Sequence, residues 1–174
     1  MEIWIIFQQK AGEVMDNFLT EAGGIMGNSL IENREFNEIC YKRQAHYYET
    51  DRMDVIHHSN YIRWFEEARI YYLEQIGFGY DKMESLGILS PVLSVSCEYK
   101  SSVRFHEEVL IYPKIEFFNG IKMAISYVVK DARTGKVRAT GESKHCFVDS
   151  KFKPIRMKKD FNEIYTILSN CVAE

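Results

Sequence analysis

Asp51-Arg52-Met53-Asp54-Val55-Ile56-His57-His58-Ser59-Asn60 runs directly into Tyr61-Ile62-Arg63-Trp64-Phe65-Glu66-Glu67-Ala68-Arg69, and this junction organises the rest of the chain. Tyr61, Phe65, Ala68, Tyr72 and Ile76 recur at steps of three and four residues, so they share one face of a helix. That helix is expected to end at Gly77 or Gly79, where glycine supplies the usual C-terminal stop. Trp64, Ile70, Tyr71 and Leu73 lie outside the stripe and are also bulky and apolar. A helix apolar over most of its circumference must be wrapped by other structure. Its first turn carries backbone N–H groups with no partner inside the helix. Carboxylates and imidazoles stand next to them, a combination that reads as a site.

Working outward, the segment after the helix is β. Leu93, Val95, Cys97 and Tyr99 alternate with Ser94, Ser96, Glu98 and Lys100, the period of a strand with two unlike faces. Val109, Ile111, Ile115 and Phe117 keep that period around Pro113, which points to an edge position or a bulge. Asn119-Gly120 is read as a two-residue type I′ hairpin with positive φ at both positions, leading into Ile121, Met123, Ile125, Tyr127 and Val129. A second turn at Asp131–Lys136 opens a strand from Val137 to Val148. Phe161, Ile164, Tyr165 and Leu168 then close the chain as a short amphipathic helix. Before the junction, Ile39 to Tyr48 reads as a strand. No strand–helix–strand alternation recurs, which disfavours a doubly wound parallel sheet. The expected class is α+β, with one antiparallel sheet wrapped around a long central helix.

Residues 1–38 differ in kind. Gly12, Gly23, Gly24 and Gly27 interrupt them, no alternation is sustained, and Val14, Phe18, Leu19 and Ala22 make at most a short amphipathic helix. They are expected to form an N-terminal extension without a catalytic role, and residues 39–174 the domain proper.

Composition bounds the partners. With 174 residues, 46% of them hydrophobic, the chain can bury one sizeable core. A net charge of −3 with scattered Lys and Arg gives no nucleic-acid footprint. The clustered Lys151, Lys153, Arg156, Lys158 and Lys159 read chiefly as a solvated face. Cys40, Cys97, Cys146 and Cys171 are widely spaced without a C-x-x-C pair, which argues against a zinc ribbon or disulfide framework. No apolar run approaches a membrane span, and the N-terminus lacks the basic region of a signal peptide, so the cytoplasm is the expected compartment. There is no P-loop, no Rossmann fingerprint and no G-x-S-x-G elbow; Gly141-Glu142-Ser143-Lys144-His145 lacks the last glycine. No cofactor is called for. A metal held by Asp51, Asp54, His57 and His58 is disfavoured because neighbouring imidazoles seldom converge on one ion.

Tyr47-Tyr48-Glu49-Thr50-Asp51, leading through His57-His58-Ser59-Asn60-Tyr61 into Trp64-Phe65-Glu66-x-Ala68-Arg69, resembles the hotdog-fold acyl-CoA thioesterases of the 4-hydroxybenzoyl-CoA thioesterase and YbgC type. The resemblance runs from about Ile39 to about Arg156. It implies that Asp51 is the catalytic carboxylate and that a backbone donor at the helix start corresponds to His58. It also implies that protomers pair sheet edges into a homodimer, some members going on to homotetramers. One departure stands out: the family carries glycine three residues after the catalytic aspartate, and here that residue is Asp54.

The chemistry fits the residues. Thioester hydrolysis needs a base or nucleophile, which Asp51 can be, and a place for negative charge on the carbonyl oxygen, which a helix N-terminus provides without a side chain. The residue types leave general base and nucleophile open, and also leave Asp51 the commoner role of a turn residue bonding its own backbone. His57 and His58 are expected to diverge. Asn60, Tyr61 and Phe65 are candidates for the substrate-binding surface, each with a structural role as its alternative. The expected substrate is an acyl-CoA or acyl-carrier-protein thioester; Lys100, Arg104, Arg138 and Lys144 are candidates to meet CoA phosphates. A hydratase of the same fold and a non-catalytic acyl-thioester binding module are the competing readings.

Overall fold

The computed structural model describes residues 39–173, so the expectations for residues 1–38 lie outside it. The central helix α1 spans His58–Gln75, 18 residues. Tyr61, Phe65, Ala68, Tyr72 and Ile76 are all buried, as are Trp64 and Leu73 from outside the stripe, while Ile70 and Tyr71 are half-buried. The helix stops as its glycine promised: Gly77 takes φ 80, its N–H bonds the Glu74 carbonyl, and the Phe78 N–H reaches the Leu73 carbonyl. These paired bonds satisfy carbonyls that a bare helix end would leave open. A short helix α2, Tyr80–Ser85, comes next; the sequence periodicity does not signal it.

Strands β1 (Tyr41–Gln44), β2 (Val92–Tyr99), β3 (Glu108–Phe118), β4 (Lys122–Asp131) and β5 (Val137–Cys146) form one antiparallel sheet in the order β1-β3-β4-β5-β2. Its inner face presents Val109, Ile111, Ile115, Met123, Ile125, Tyr127 and Val129 to the helix, all buried. At Gly141 the approach is closest. A Cβ there would collide with the Phe65 ring and the Ser96 carbonyl, so a glycine lets the helix settle onto β5. Phe65 lies stacked on Tyr127, ring centroids 4.5 Å apart.

Two local expectations change, and that for Pro113 holds. The strand read from Ile39 to Tyr48 is only Tyr41–Gln44, after which the chain turns through a 3₁₀ segment, Tyr47–Glu49, because Glu49 is drawn inward by Arg43 and Trp64. The β3–β4 hairpin turns on Gly120-Ile121, not Asn119-Gly120. Only Gly120 has positive φ, and the Asn119 carboxamide oxygen accepts the Ile121 and Lys122 N–H groups from the strand end, the pattern of a type II′ turn. Pro113 pairs with Tyr127 on one side, and its other side lies beyond the reach of β1, whose pairing stops at Ile111. Proline is tolerated there because no ladder bond is asked of its missing N–H.

The two outer strands differ. Along β3, past β1, the Ala173 N–H bonds the Ile115 carbonyl, which brings the C-terminal residues onto that edge after helices α3 (Met157–Asp160) and α4 (Asn162–Asn170). Strand β2 is exposed along almost its whole length, with Val92, Leu93, Val95 and Tyr99 between 41% and 53% accessible. Among the described residues no helix is long and apolar enough to cross a membrane. All four cysteines are unpaired.

Candidate active site

The loop before α1 is a small closed structure. Thr50 bridges Ile56, the Asp51 N–H bonds the Val55 carbonyl, and the Asp54 N–H bonds the Asp51 carbonyl. Closing so tightly requires one left-handed residue, and that residue is Asp54, at φ 57. The resemblance placed a glycine here, and the geometry explains why: the position is one glycine adopts freely and aspartate tolerates. Asp54 therefore keeps the loop's path while departing from the expected residue.

Asp51 is half-buried at the mouth of this loop. Its Oδ1 accepts the Met53 N–H at 2.7 Å, a local turn bond, while Oδ2 has no partner among the described residues. The turn role and an available carboxylate oxygen thus coexist in one side chain. Asp51 lines a cleft of ≈ 280 Å³ together with His58, Tyr61, Tyr99 and Lys100.

His57 is the N-cap of α1. Its φ of −60 and ψ of 136 lie outside the helix, and its Nδ1 meets the Ser59 hydroxyl at 2.8 Å and the Ser59 N–H at 3.3 Å. The Asn60 N–H bonds the His57 carbonyl. The His58 N–H finds no acceptor among the described residues, as expected of a first helical residue whose neighbours' N–H groups have been capped. The two imidazoles do not diverge: their centroids are 4.0 Å apart, because His57 folds over the helix end to cap it and comes to lie beside His58. The Tyr99 hydroxyl donates to the His58 carbonyl at 3.0 Å, tying the first turn to the end of β2.

Glu49 holds this arrangement in place, and sequence reasoning missed it. Only 2% exposed, it accepts from the Arg43 guanidinium and the Trp64 indole N–H on Oε1 and from the His46 N–H on Oε2. Its backbone carbonyl takes the His57 N–H and the Asn60 side-chain nitrogen, both at 2.8 Å. Burial pushes the Glu49 carboxyl up, but the His46, Trp64 and Arg43 donors outweigh it and leave the group below its ordinary value. A signal was available: Arg43 and Trp64 both need an acceptor if they are to be buried, and Glu49 is the carboxylate in reach along the chain.

The remaining candidates are distributed. Tyr61 lies in the cleft, 2% exposed and packed edge-on against Tyr99. Asn60 is committed to the Glu49 carbonyl and does not line the cleft. Phe65 faces a second recess further along α1. Of the basic residues considered for phosphates, Lys100 lines the cleft and pairs with the exposed Glu98, Arg104 is exposed outside the cleft lining, and Arg138 is engaged with Asp131, Glu107 and the Ser102 carbonyl inside the domain. Lys144 pairs with Glu142. Among the described residues no group of three or more His, Cys, Asp or Glu side chains converges on a metal-sized gap.

Known proteins resemble this chain in sequence and in fold. The sequence model of the thioesterase-like superfamily matches residues 45–164. A Bacillus subtilis protein named "Putative acyl-CoA thioesterase YneP" is 34% identical over 124 residues, 71% of this chain and 89% of that protein. An Aquifex aeolicus protein named "Putative esterase" is 33% identical over 124 residues, 71% of this chain and 94% of its own length. The crystal structure of a DHNA-CoA thioesterase from Staphylococcus aureus superposes with a TM-score of 0.72 at 33% identity, covering 75% of this chain and 88% of that one. The chain belongs to the thioesterase-like superfamily and is a thioester hydrolase with the hotdog fold.

Proposed function

We propose that this protein hydrolyses acyl-CoA thioesters, with Asp51 as the catalytic carboxylate and the His58 N–H polarising the thioester carbonyl. The observation that carries the reading is that Asp51, with a carboxylate oxygen that has no partner among the described residues, and His58, whose helix-terminal N–H has none either, line one cleft. In the general-base route Asp51 takes a proton from water as the water oxygen adds to the carbonyl carbon. Negative charge collects on the carbonyl oxygen, where the His58 N–H and the positive end of α1 stabilise it. The C–S bond then breaks, and the thiolate, an adequate leaving group at its ordinary pKa of about 8.5, recovers the proton from Asp51. In the nucleophilic route Asp51 attacks the carbon itself, the thiolate leaves, and water cleaves the resulting anhydride. Tyr61 shapes the cleft wall, and Asn60 serves by holding the Glu49 carbonyl rather than by touching substrate.

The names of the relatives support CoA as the thiol carrier. A chain of net charge −3 must then meet the CoA phosphates with local cations, for which Lys100 at the cleft is the best placed. The test is free-thiol release across aliphatic and aromatic acyl-CoAs and matched acyl-carrier proteins. Acyl-CoA hydrolysis is expected, with a KM that rises with salt more than that of a truncated, phosphate-free thioester. Turnover of carrier-protein substrates alone would overturn the CoA assignment, and release from none of them would overturn the activity.

The working unit in this reading is at least a homodimer joined along β2. An exposed strand edge bearing Val92, Leu93, Val95 and Tyr99 is an interface seeking a partner. Because β2 also carries Tyr99 in the cleft, the interface and the site share a strand. Sedimentation should give a dimer or a tetramer at assay concentration; an active monomer would overturn this part.

A further inference from the structure

One turn and more beyond the catalytic cleft, α1 covers a second recess of ≈ 80 Å³. Ile62, Phe65, Val92 and Val95 make it mostly apolar, but Arg69 and the Glu66 carboxylate stand in its wall, and Tyr127, Ser143 and His145 line it from the inner face of the sheet. Polar groups on a face otherwise built of buried Val, Ile and Met are costly unless bonded. They are bonded to one another: the Tyr127 hydroxyl lies 2.8 Å from Ser143 Oγ, which lies 2.7 Å from His145 Nε2.

The chain of bonds cannot close on itself. Tyrosine, serine and neutral histidine each bring one proton, and two bonds use two of them. If Tyr127 donates to Ser143 and Ser143 to Nε2, the leftover proton sits on Nδ1, which has no hydrogen-bond partner although His145 is only 1% exposed. The Ser90 carbonyl lies near the ring without completing a bond. If the direction is reversed, the leftover proton is on the Tyr127 hydroxyl, and if Tyr127 and Nε2 both donate to Ser143 Oγ, it is on the Ser143 hydroxyl. One donor remains uncommitted in each case, and all three residues that can bear it line the recess. Burial, reinforced by the Arg69 charge, holds His145 down at about 4, so the ring is neutral at neutral pH.

Arg69 adds a second demand of the same sign. It is 2% exposed, its Nη1 donates to the Tyr80 hydroxyl, and the carboxylate paired with Nη2, that of Glu66, is 3.9 Å away and 63% exposed. A buried guanidinium with so loose a counter-charge favours an added acceptor. The recess also lies at a defined reach. Its helix residues, Ile62 to Arg69, stand roughly 6–16 Å beyond His58 at about 1.5 Å per residue, so it meets the far end of an acyl group whose carbonyl sits at the His58 N–H. Its volume admits only the tip of such a group, since a cavity of about 150 Å³ is what holds a benzene ring.

We infer that this recess recognises an oxygen at the distal end of the acyl group, a hydroxyl or a carboxylate, so that the preferred substrates are thioesters of terminally oxygenated acids. The inference rests on the thioesterase reading of Asp51.

The test uses the full-length protein and acyl-CoAs of graded length, each offered as the plain, the ω-hydroxy and the ω-carboxy compound. At one length kcat/KM for an oxygenated member should exceed that of its plain counterpart by at least about tenfold, and the better of the two oxygenated arms identifies the group. Equal or faster hydrolysis of the plain compound at every length overturns the inference while leaving the thioesterase reading intact. Hydrolysis of none would sink that reading first. Ser143→Ala and His145→Leu should raise KM selectively for the oxygenated substrate, with a smaller change in kcat. If both variants fold and the preference persists, these residues are not its source; if neither folds, the graded series on the parent protein still decides.

Discussion

The two ends of α1 solve the same problem in opposite ways. At the C-terminus, Gly77 and Phe78 fold back to bond the Glu74 and Leu73 carbonyls, and the end is sealed by the chain's own backbone. At the N-terminus, His57 and Glu49 bind the surrounding groups, yet the His58 N–H is left open to a cleft that Asp51 also lines. A helix end that is fully satisfied can only be structural. One that is rigidly held and still has a donor to offer can polarise a ligand, and the proposed catalytic role of this end rests on that contrast.

The most severe way to break the contrast is to remove the reactive oxygen. Asp51→Asn keeps shape and the turn, so kcat should fall by about two to four powers of ten with little change in the melting temperature. Unimpaired turnover by the variant would show that the open end is not catalytic. A second blow deletes the N–H itself. Proline is well tolerated as the first residue of a helix, and His57 already has the extended conformation that a residue before proline prefers. His58→Pro should therefore fold normally and lose about 10²- to 10³-fold in kcat, whereas His58→Ala, which keeps the N–H, should lose far less. Equal losses in the two variants would move the role from backbone to imidazole.

A third change loosens the scaffold of the open end. Glu49→Gln removes the charge from a buried carboxylate with three donors, at a cost of about 2–4 kcal/mol in denaturant unfolding. The folded-state pKa of Glu49 is depressed, so its contribution is present above the unfolded carboxyl value of about 4.3 and is lost as pH falls through the folded value. The gap between parent and variant should accordingly shrink in acid, and a gap that widens there would contradict the assigned direction. At the sealed end, Gly77→Ala forces φ 80 on a residue with a Cβ. Nothing crowds the site, so about 1 kcal/mol of stability and none of the activity should be lost. Smallest of all is Asp54→Gly, which restores a residue suited to φ 57: stability should change by no more than about 0.5 kcal/mol, with kcat preserved.

Much of this could be read from the chain because the strongest signals are periodic. The stripe from Tyr61 to Ile76, the glycine stop and the alternation in β2 through β5 are local patterns, and each can be read from neighbouring residues alone. Asp51 and His58 became legible only when the loop string and the helix were read together. What escaped depends on contacts distant in sequence. Glu49 bends the chain into a 3₁₀ turn because Arg43 and Trp64 meet it there; the sequence shows that both need an acceptor, but not that they converge on this one. The hairpin moved by one residue because the Asn119 carboxamide caps the turn from its flank instead of entering it. His145 follows Ser143 by two residues on β5, so their bond is local, but the Tyr127 hydroxyl that extends it comes from β4 and the Arg69 side chain beside it from α1, and neither neighbour can be read along β5.

The open edge of β2 also sets a clock on the newly made chain. In the proposed dimer, pairing along that edge is bimolecular, so its half-time lengthens as the chain becomes scarcer, while the exposed Val92, Leu93 and Val95 are available throughout to any other sticky strand. Recovery of folded protein should therefore pass through an optimum in synthesis rate. Too slow a supply leaves each molecule waiting unprotected, and too fast a supply brings unfinished chains together before their edges are shaped to match.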